Sequence, residues 1–317
     1  MPLHPQAQAV IEGWEATGMP PFETLSLEEG RQVIESVRNF MVPVEEVVSI
    51  EDLPFPGPEG EIGLRIYRPE GEGLLPTVFY FHGGGFSSGS LDLVDPICRL
   101  LANRSGCMVI SIDYRLAPEH PYPAAVTDAY IAISWVGAYG EGFGVDTSRL
   151  AVVGDSAGAT IATAACMLIR DKSLGEPEIK LQYLLCPVTD LVKFETPSYQ
   201  EFGEGGHVLT TAMMRHWKGY YLKGREEGMH YEPYCSPIRE QNLGSLPPTI
   251  IVTAEYDPLR DEGEAYGQLL LMNGVMAEVR REEGMIHNFF WFGGAIDRGR
   301  EILEEVGADL RKTLFIG

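Results

Sequence analysis

Three residues far apart in this 317-residue chain could together do chemistry: Ser156, Asp257 and His287. Ser156 stands within Gly154-Asp155-Ser156-Ala157-Gly158, between an apolar, β-prone run and an alanine-rich stretch that continues through about Arg170. Strand, sharp turn, helix is the order that lifts a serine hydroxyl onto a strained corner, because the flanking glycines keep side chains out of the place where strand and helix almost touch. The helix N-terminus then lies beneath the hydroxyl and offers N–H groups to an anion. Alone, the pentapeptide fits a serine at an ordinary helix N-cap equally well. The other residues separate the two readings. A serine hydroxyl becomes a nucleophile when a base removes its proton, and that base needs an anion to fix its tautomer and steady its cation. Asp257 sits just beyond a strand-like run, where a short side chain is held rigidly, and His287 sits in a loop after the last such run. Glu255 is still on its strand, whereas Asp261 and Glu262 open the next helix and read as caps. Upstream, His82-Gly83-Gly84-Gly85-Phe86 closes a strand, and its glycines let several backbone N–H groups face one point, as a tetrahedral oxyanion requires. A phosphate cradle is the rival reading of these glycines. No Gly-Lys-Ser/Thr follows them, however, and the helix from Leu91 starts too late to reach a phosphate held there. His82 precedes the donors and reads as shaping their loop.

The elements that must position these residues follow from periodicity. Residues 5 to 45 read as amphipathic helices, with a capping box at Ser26–Glu29 and then Val33, Ile34, Val37 and Phe40 at helical spacing. Ile62–Arg68, Thr77–Phe81, Cys107–Ile112, Leu181–Cys186, Pro248–Ala254 and Ala277–Arg281 read as strands. Between and after them, helices are expected over Leu91–Leu101, Ala124–Tyr139, the segment after the serine, the segment up to Met272, and a closing stretch to Leu314. In the proline-rich loop from Asp113 to Pro123, Arg115 and Glu119 are read as holding the loop by ion pairs and His120 as structural. Residues 190 to 235 break the alternation. They are rich in glycine, aromatics and methionine, and a helix from Thr210 to Leu222 displays Met213, Met214, Trp217, Tyr220 and Tyr221. An insertion of this kind reads as a lid over an apolar pocket, and plain core packing explains the same stripe. Alternating strands and helices on both sides of it give an α/β fold, a mostly parallel sheet with helices on both faces.

Composition narrows the partners. The net charge of −22 makes a strongly acidic surface that repels nucleic acid and anionic membranes, leaving neutral or cationic small molecules. The five cysteines are odd in number and lack C-x-x-C spacing, which reads as reduced core thiols, with neither a disulfide framework nor a metal site. Met1 to Glu15 carries no basic region ahead of an apolar run, and no later stretch approaches a membrane span, so the expected setting is the cytoplasm.

Taken together, His82-Gly-Gly-Gly-Phe86, Tyr114-Arg-Leu-Ala-Pro-Glu119, Gly154-Asp-Ser-Ala-Gly158, Asp257-Pro-Leu-Arg-Asp-Glu-Gly263 and His287-Asn-Phe289 resemble the bacterial hormone-sensitive-lipase-like (family IV) carboxylesterases of the α/β-hydrolase fold. The motifs fall in family order across roughly residues 77 to 290. One departure is Ala159, where many relatives carry another glycine. The resemblance implies a serine esterase acting on small neutral esters of short to medium acyl chain, with Ser156 as nucleophile, His287 as general acid and base, and Asp257 as its orienter. It further implies an oxyanion hole from the N–H groups of Gly83, Gly84 and Ala157, and no metal or organic cofactor. By the same resemblance, residues 1–45 form N-terminal cap helices, 46–189 and 236–317 the two parts of the hydrolase core, and 190–235 a cap insertion. Phe86, Met213, Met214, Trp217 and Phe289 are the expected pocket residues. Pairing into a homodimer is common among such proteins and is left open by this sequence. Two alternatives remain at this stage: a non-catalytic receptor on the same fold, as in the plant gibberellin receptors that have lost the histidine, and an amidase, lactonase or carbamate hydrolase using the same triad.

Overall fold

The computed structural model describes residues 2–172 and 175–316. The chain opens with helix α1 (Pro5–Ala16), whose N-terminus is capped by the His4 side chain. A short 3-10 turn at Phe22–Thr24 leads to α2 (Leu27–Ser36), which starts on the expected capping box: Ser26 Oγ accepts from the Glu29 N–H while the Glu29 carboxylate accepts from the Ser26 N–H. There follow β1 (Ser49–Gly57), β2 (Gly60–Arg68), β3 (Leu75–Phe81), α3 (Leu91–Ser105), β4 (Met108–Asp113), α4 (Ala124–Tyr139), β5 (Val145–Asp155) and α5 (Ala157–Lys172). The second half runs β6 (Ile179–Leu185), α6 (Pro197–Phe202), α7 (Thr211–Tyr221), β7 (Thr249–Tyr256), α8 (Arg260–Met272), β8 (Ala277–Ile286) and α9 (Asp297–Ile316).

All eight strands join one sheet in the order β1-β2-β4-β3-β5-β6-β7-β8. Only the β1–β2 and β2–β4 pairs are antiparallel; β3 to β8 run parallel, as the alternation of elements predicts. Every residue of β3 is buried, which explains its unbroken apolar run: a parallel strand with helices over both faces has no solvent side to mark with polar residues. The helix pairs α3 with α9 and α4 with α5 provide that cover. From β3 the chain winds outward to β4 and then returns past β3 to β5. This reversal opens a crevice at the carboxyl ends of β3 and β5, where open α/β sheets bind their ligands. The glycine loop leaves β3 at that point and the serine turn leaves β5.

Several elements differ from the sequence expectation. Strand β1 was not anticipated, because Pro54 and Pro56 argue against a central strand; β1 pairs only with β2 at the sheet edge, where missing N–H groups are tolerated. Strand β8 extends to Ile286 and so delivers His287 directly from its end. Arg115 and Glu119 do form ion pairs, each with a partner from another element: Arg115 with Asp128 and Glu59, and Glu119 with Arg31 of α2. Glu262 is no helix cap. It is buried, and its Oε1 accepts the N–H groups of Thr189 at 2.7 Å and Asp190 at 3.1 Å, while Asp261 accepts the Ser198 N–H. The segment between β6 and β7 is therefore pinned where it leaves the sheet, and an Asp190–Arg239 ion pair at 2.6 Å draws its far end to the same place. At the other terminus, the His4 N–H donates to the Gly284 carbonyl and Gln6 bonds with Asp297, which fastens α1 beside the end of β8.

Gly158 marks the tightest approach in the core of this arrangement. A Cβ there would run into the carbonyl oxygens of Phe81 and His82, and one at Gly154 would strike the Gly158 carbonyl. Backbone atoms cannot swing aside as a flexible side chain does. Gly158→Ala is expected to cost at least the 1–3 kcal/mol or so typical of overpacking, read as a lowered midpoint in urea unfolding, whereas alanine at the open, exposed Gly219 inside α7 should raise the midpoint slightly.

Candidate active site

Ser156 sits between β5 and α5 with φ of +52°, a left-handed conformation that costs a non-glycine residue on the order of 1–3 kcal/mol and persists only where the surroundings impose it. The surroundings here are explicit. The Ser156 N–H donates to the Leu185 carbonyl at 2.8 Å, and the Ser156 carbonyl accepts from Ala159 and Val188. The turn directs Oγ toward the loop after β8, and His287 Nε2 lies 3.1 Å away. On the other side of the ring, His287 Nδ1 is 2.7 Å from Asp257 Oδ2, and Asp257 Oδ1 accepts the Leu259 N–H at 2.9 Å. Ser156, Asp257 and His287 are 6%, 1% and 7% exposed, so these bonds form in a setting nearly free of competing water. The structure thus brings together the three residues that the sequence singles out.

A fourth residue ties the site together. The carboxylate of Asp155, next to the serine, is fully buried. It accepts from the Tyr80 hydroxyl of β3 at 2.8 Å and from Asn288 Nδ2 at 3.3 Å, and Gly83 packs so closely on it that a Cβ there would strike its Oδ2. One side chain therefore joins the serine turn, the glycine loop and the histidine loop. Burial pushes its pKa up to about 7 against the opposing pull of these donors. His82 is also buried and is pushed down to about 4 by that burial, which makes it a neutral imidazole at neutral pH. The Tyr114 hydroxyl donates to the His82 carbonyl at 2.7 Å and stacks its ring on the imidazole, in keeping with a shaping role for His82.

The three glycines after β3 face different neighbours. Gly83 packs against Asp155, where a Cβ on it would strike the carboxylate, and it does not border the cavity at Ser156. Gly84 and Gly85 do border it, with φ of +116° and +62°. Gly85 must also lack a side chain because the indole of Trp217 occupies the place of its Cβ. Ala157 opens α5, and the first N–H groups of a helix have no partner within it.

The cavity at Ser156 and His287 is narrow, about 50 Å³. Of the expected lining residues, Met213 and Trp217 face it; Met214, Phe86 and Phe289 do not. Met213 and Trp217 are four residues apart and share one face of α7, whereas Met214 is turned about 100° away and packs into the core. Phe86 stacks under α7 on Tyr221, with ring centroids 3.8 Å apart, and Phe289 is buried against Phe290. Residues not anticipated complete the wall: Trp14, Phe22, Ile34 and Val37 from the first forty residues, Leu209 ahead of α7, and Trp291 and Phe292 after the histidine. The amphipathic stripe of α2 was the one available signal for Ile34 and Val37. Cys186, at φ of +44°, is a further unanticipated neighbour. Its sulfur and the ligand atoms of Asp257 and His287 lie within 4.8 Å of one another, and burial, followed by the charge of Asp257, holds the thiol well above its usual range and therefore neutral.

Fold and site together define a serine hydrolase of the α/β-hydrolase class. A family model described as alpha/beta hydrolase fold matches residues 78–291. The chain is 40% identical over 303 residues to the esterase LipI of Mycobacterium tuberculosis, covering 93% of this chain and 92% of that one. It is 33% identical to an arylesterase of Saccharolobus solfataricus, covering 99% and 100% of the two chains. Among solved structures, an esterase of Pyrobaculum calidifontis superposes with a TM-score of 0.89 at 38% identity, covering 98% of this chain and 99% of that one. This chain belongs to the hormone-sensitive-lipase-like family of α/β hydrolases.

The raised pKa of Asp155 gives the site a pH signature. A carboxyl near 3.8 when unfolded and about 7 when folded binds its proton more tightly in the native state. Its contribution to stability is therefore full below about pH 4 and is lost as the pH rises through about 7. The stability advantage of the parent over Asp155→Asn, measured by urea unfolding, should shrink as the pH is raised across that window. An advantage that widens instead would mean that the carboxylate is already ionised in the acidic native protein.

Proposed function

We propose that this protein hydrolyses small, neutral carboxylic esters of short to medium acyl chain through an acyl-enzyme on Ser156. The observation that carries the proposal is the unbroken relay from Ser156 Oγ to His287 Nε2 at 3.1 Å and from His287 Nδ1 to Asp257 at 2.7 Å. In the first step His287 takes the serine proton as Oγ attacks the ester carbonyl, and Asp257 steadies the imidazolium that forms. In this reading the N–H groups of Gly84, Gly85 and Ala157 receive the oxyanion; the choice of Gly85 over the expected Gly83 is supported by Gly84 and Gly85 bordering the cavity. His287 then returns the proton to the departing alcohol. Water, deprotonated by the same imidazole, attacks the acyl-enzyme, and collapse of the second tetrahedral intermediate releases the acid and restores Ser156.

Further support comes from the surroundings of the relay. An engaged His287 favours catalysis over a receptor role, since binding alone needs no base held between a serine and an aspartate. A cavity of about 50 Å³ suits a short acyl group, because each water-sized sphere takes about 10–15 Å³ on this measure. The acidic surface favours neutral substrates. Residues 1–45 and 190–235 act in this reading as the two parts of a cap, since both supply walls of the reaction cavity. The protein works in a reducing cytoplasm, a setting in keeping with five free, buried cysteines. No described helix is long and apolar enough to cross a membrane.

The test is a p-nitrophenyl ester series run beside Ser156→Ala and a serine-directed phosphonate. The parent should turn over acetate and butyrate and take up one phosphonate on Ser156. The alanine variant should lose on the order of a millionfold in kcat, as in other triads, and take up none. Turnover by the variant at the parent rate would remove Ser156 from the reaction.

A further inference from the structure

Two larger cavities adjoin the one at Ser156, and Trp14 of α1 stands in the wall of all three. The first, about 640 Å³, lies between residues 19–23 and the segment around α6 and α7, and it carries Glu23, Glu195, Glu204, His207 and Arg215. The second, about 510 Å³, lies among α1, α2 and the turn after His287. Its walls are almost wholly apolar, with Ala9, Val10, Gly13, Val33, Phe40 and Phe292. Phe292 also borders the reaction cavity, so the apolar space and the space at Ser156 are separated by the side chains of Trp14 and Phe292.

An ester sends its acyl and alcohol portions in opposite directions from the carbonyl carbon. The first cavity mixes apolar walls with charged side chains, whereas the second offers a growing methylene chain a nearly continuous apolar wall: each CH₂ buried there should raise affinity about fourfold. A chain can reach that space only past the side chains of Trp14 and Phe292, of which Trp14 also borders the first cavity.

Resting on the esterase reading, we propose that Trp14 sets the limit on acyl length by closing the apolar cavity of α1 and α2 to the acyl chain. With the indole in place, acyl groups that fit the narrow cavity react well and longer ones do not. Shortening the side chain joins the two spaces and admits the longer chains. Trp14 is held in this position by the anchoring of α1 through His4 and Gln6, and its role is in specificity and not in the chemical steps.

The test compares kcat/KM for p-nitrophenyl acetate, butyrate, octanoate and decanoate across the parent, Trp14→Ala, Trp14→Leu and the double variant Trp14→Ala/Val10→Trp. Val10 borders only the apolar cavity of the three, so the double variant refills that space. The decanoate-to-acetate ratio should rise at least tenfold in Trp14→Ala, rise less in Trp14→Leu, and fall most of the way back in the double variant. Thermal unfolding identifies any variant that does not fold, and the leucine variant carries the test if the alanine variant fails. A ratio that stays at the parent value in a folded Trp14 variant, or one that rises equally with Val10→Trp present, overturns the role of Trp14 while leaving the esterase reading intact. A parent that neither cleaves acetate nor takes up phosphonate at Ser156 overturns both.

Discussion

The arrangement depends on one buried carboxylate at the corner of the serine turn. Asp155 receives hydrogen bonds from β3 and from the residue after His287, and the glycine loop packs directly against it. Each of these belongs to a different stretch of chain, and each must lie within a fraction of an ångström of its place for a proton to move along the relay. A buried carboxyl left without partners would be strongly destabilising, so the two donors and the acceptor enforce one another. The pKa near 7 expresses that balance: burial favours the proton and the donors oppose it. The strained Ser156 backbone is the second half of the same constraint, since the left-handed turn is held by Leu185 and Val188 from the next strand and its exit.

The sheet topology explains why such a junction can form. Reversal of the winding between β4 and β5 places the ends of β3 and β5 side by side with nothing crossing between them. Loops leaving those ends are free to turn toward each other, and β7 and β8 supply aspartate and histidine from the same edge of the sheet. The close contact of Gly158 with the β3 carbonyls shows how little room is left, and it fixes the distance from the glycine loop to the serine. Chemistry at this point is a property of backbone geometry as much as of side chains.

Much of this was legible in the sequence. Strand-turn-helix context identified Ser156, and strand ends identified Asp257 and His287, because those signals are local and follow from backbone periodicity. The capping box at Ser26 and the bounds of α4 were legible for the same reason. Side-chain direction was not. Met213 and Met214 look alike in a sequence, and only the rotation of α7 against Phe22 and the glycine loop decides which faces Ser156. Phe86 and Phe289 flank the reacting residues in the chain yet pack away from them, while Trp14 lies more than a hundred residues upstream and reaches the cavity. Gly83 packs against the Asp155 carboxylate while Gly84 and Gly85 border the cavity, a division that three identical residues in a row cannot announce. Glu262 does stand in the first turn of α8, and burial there gives it a further task.

That task bears on how proteins of this shape diversify. Glu262 grips the backbone at 189 and 190, and Arg239 clasps Asp190, so the polypeptide departs from the sheet and rejoins it at nearly one spot. Closing a loop of any length across so short a gap costs little more for a long insert than for a moderate one. The chain between these two grips is thus clamped at both ends, so a substitution within it can reshape the walls over Ser156 while the sheet beneath keeps its register.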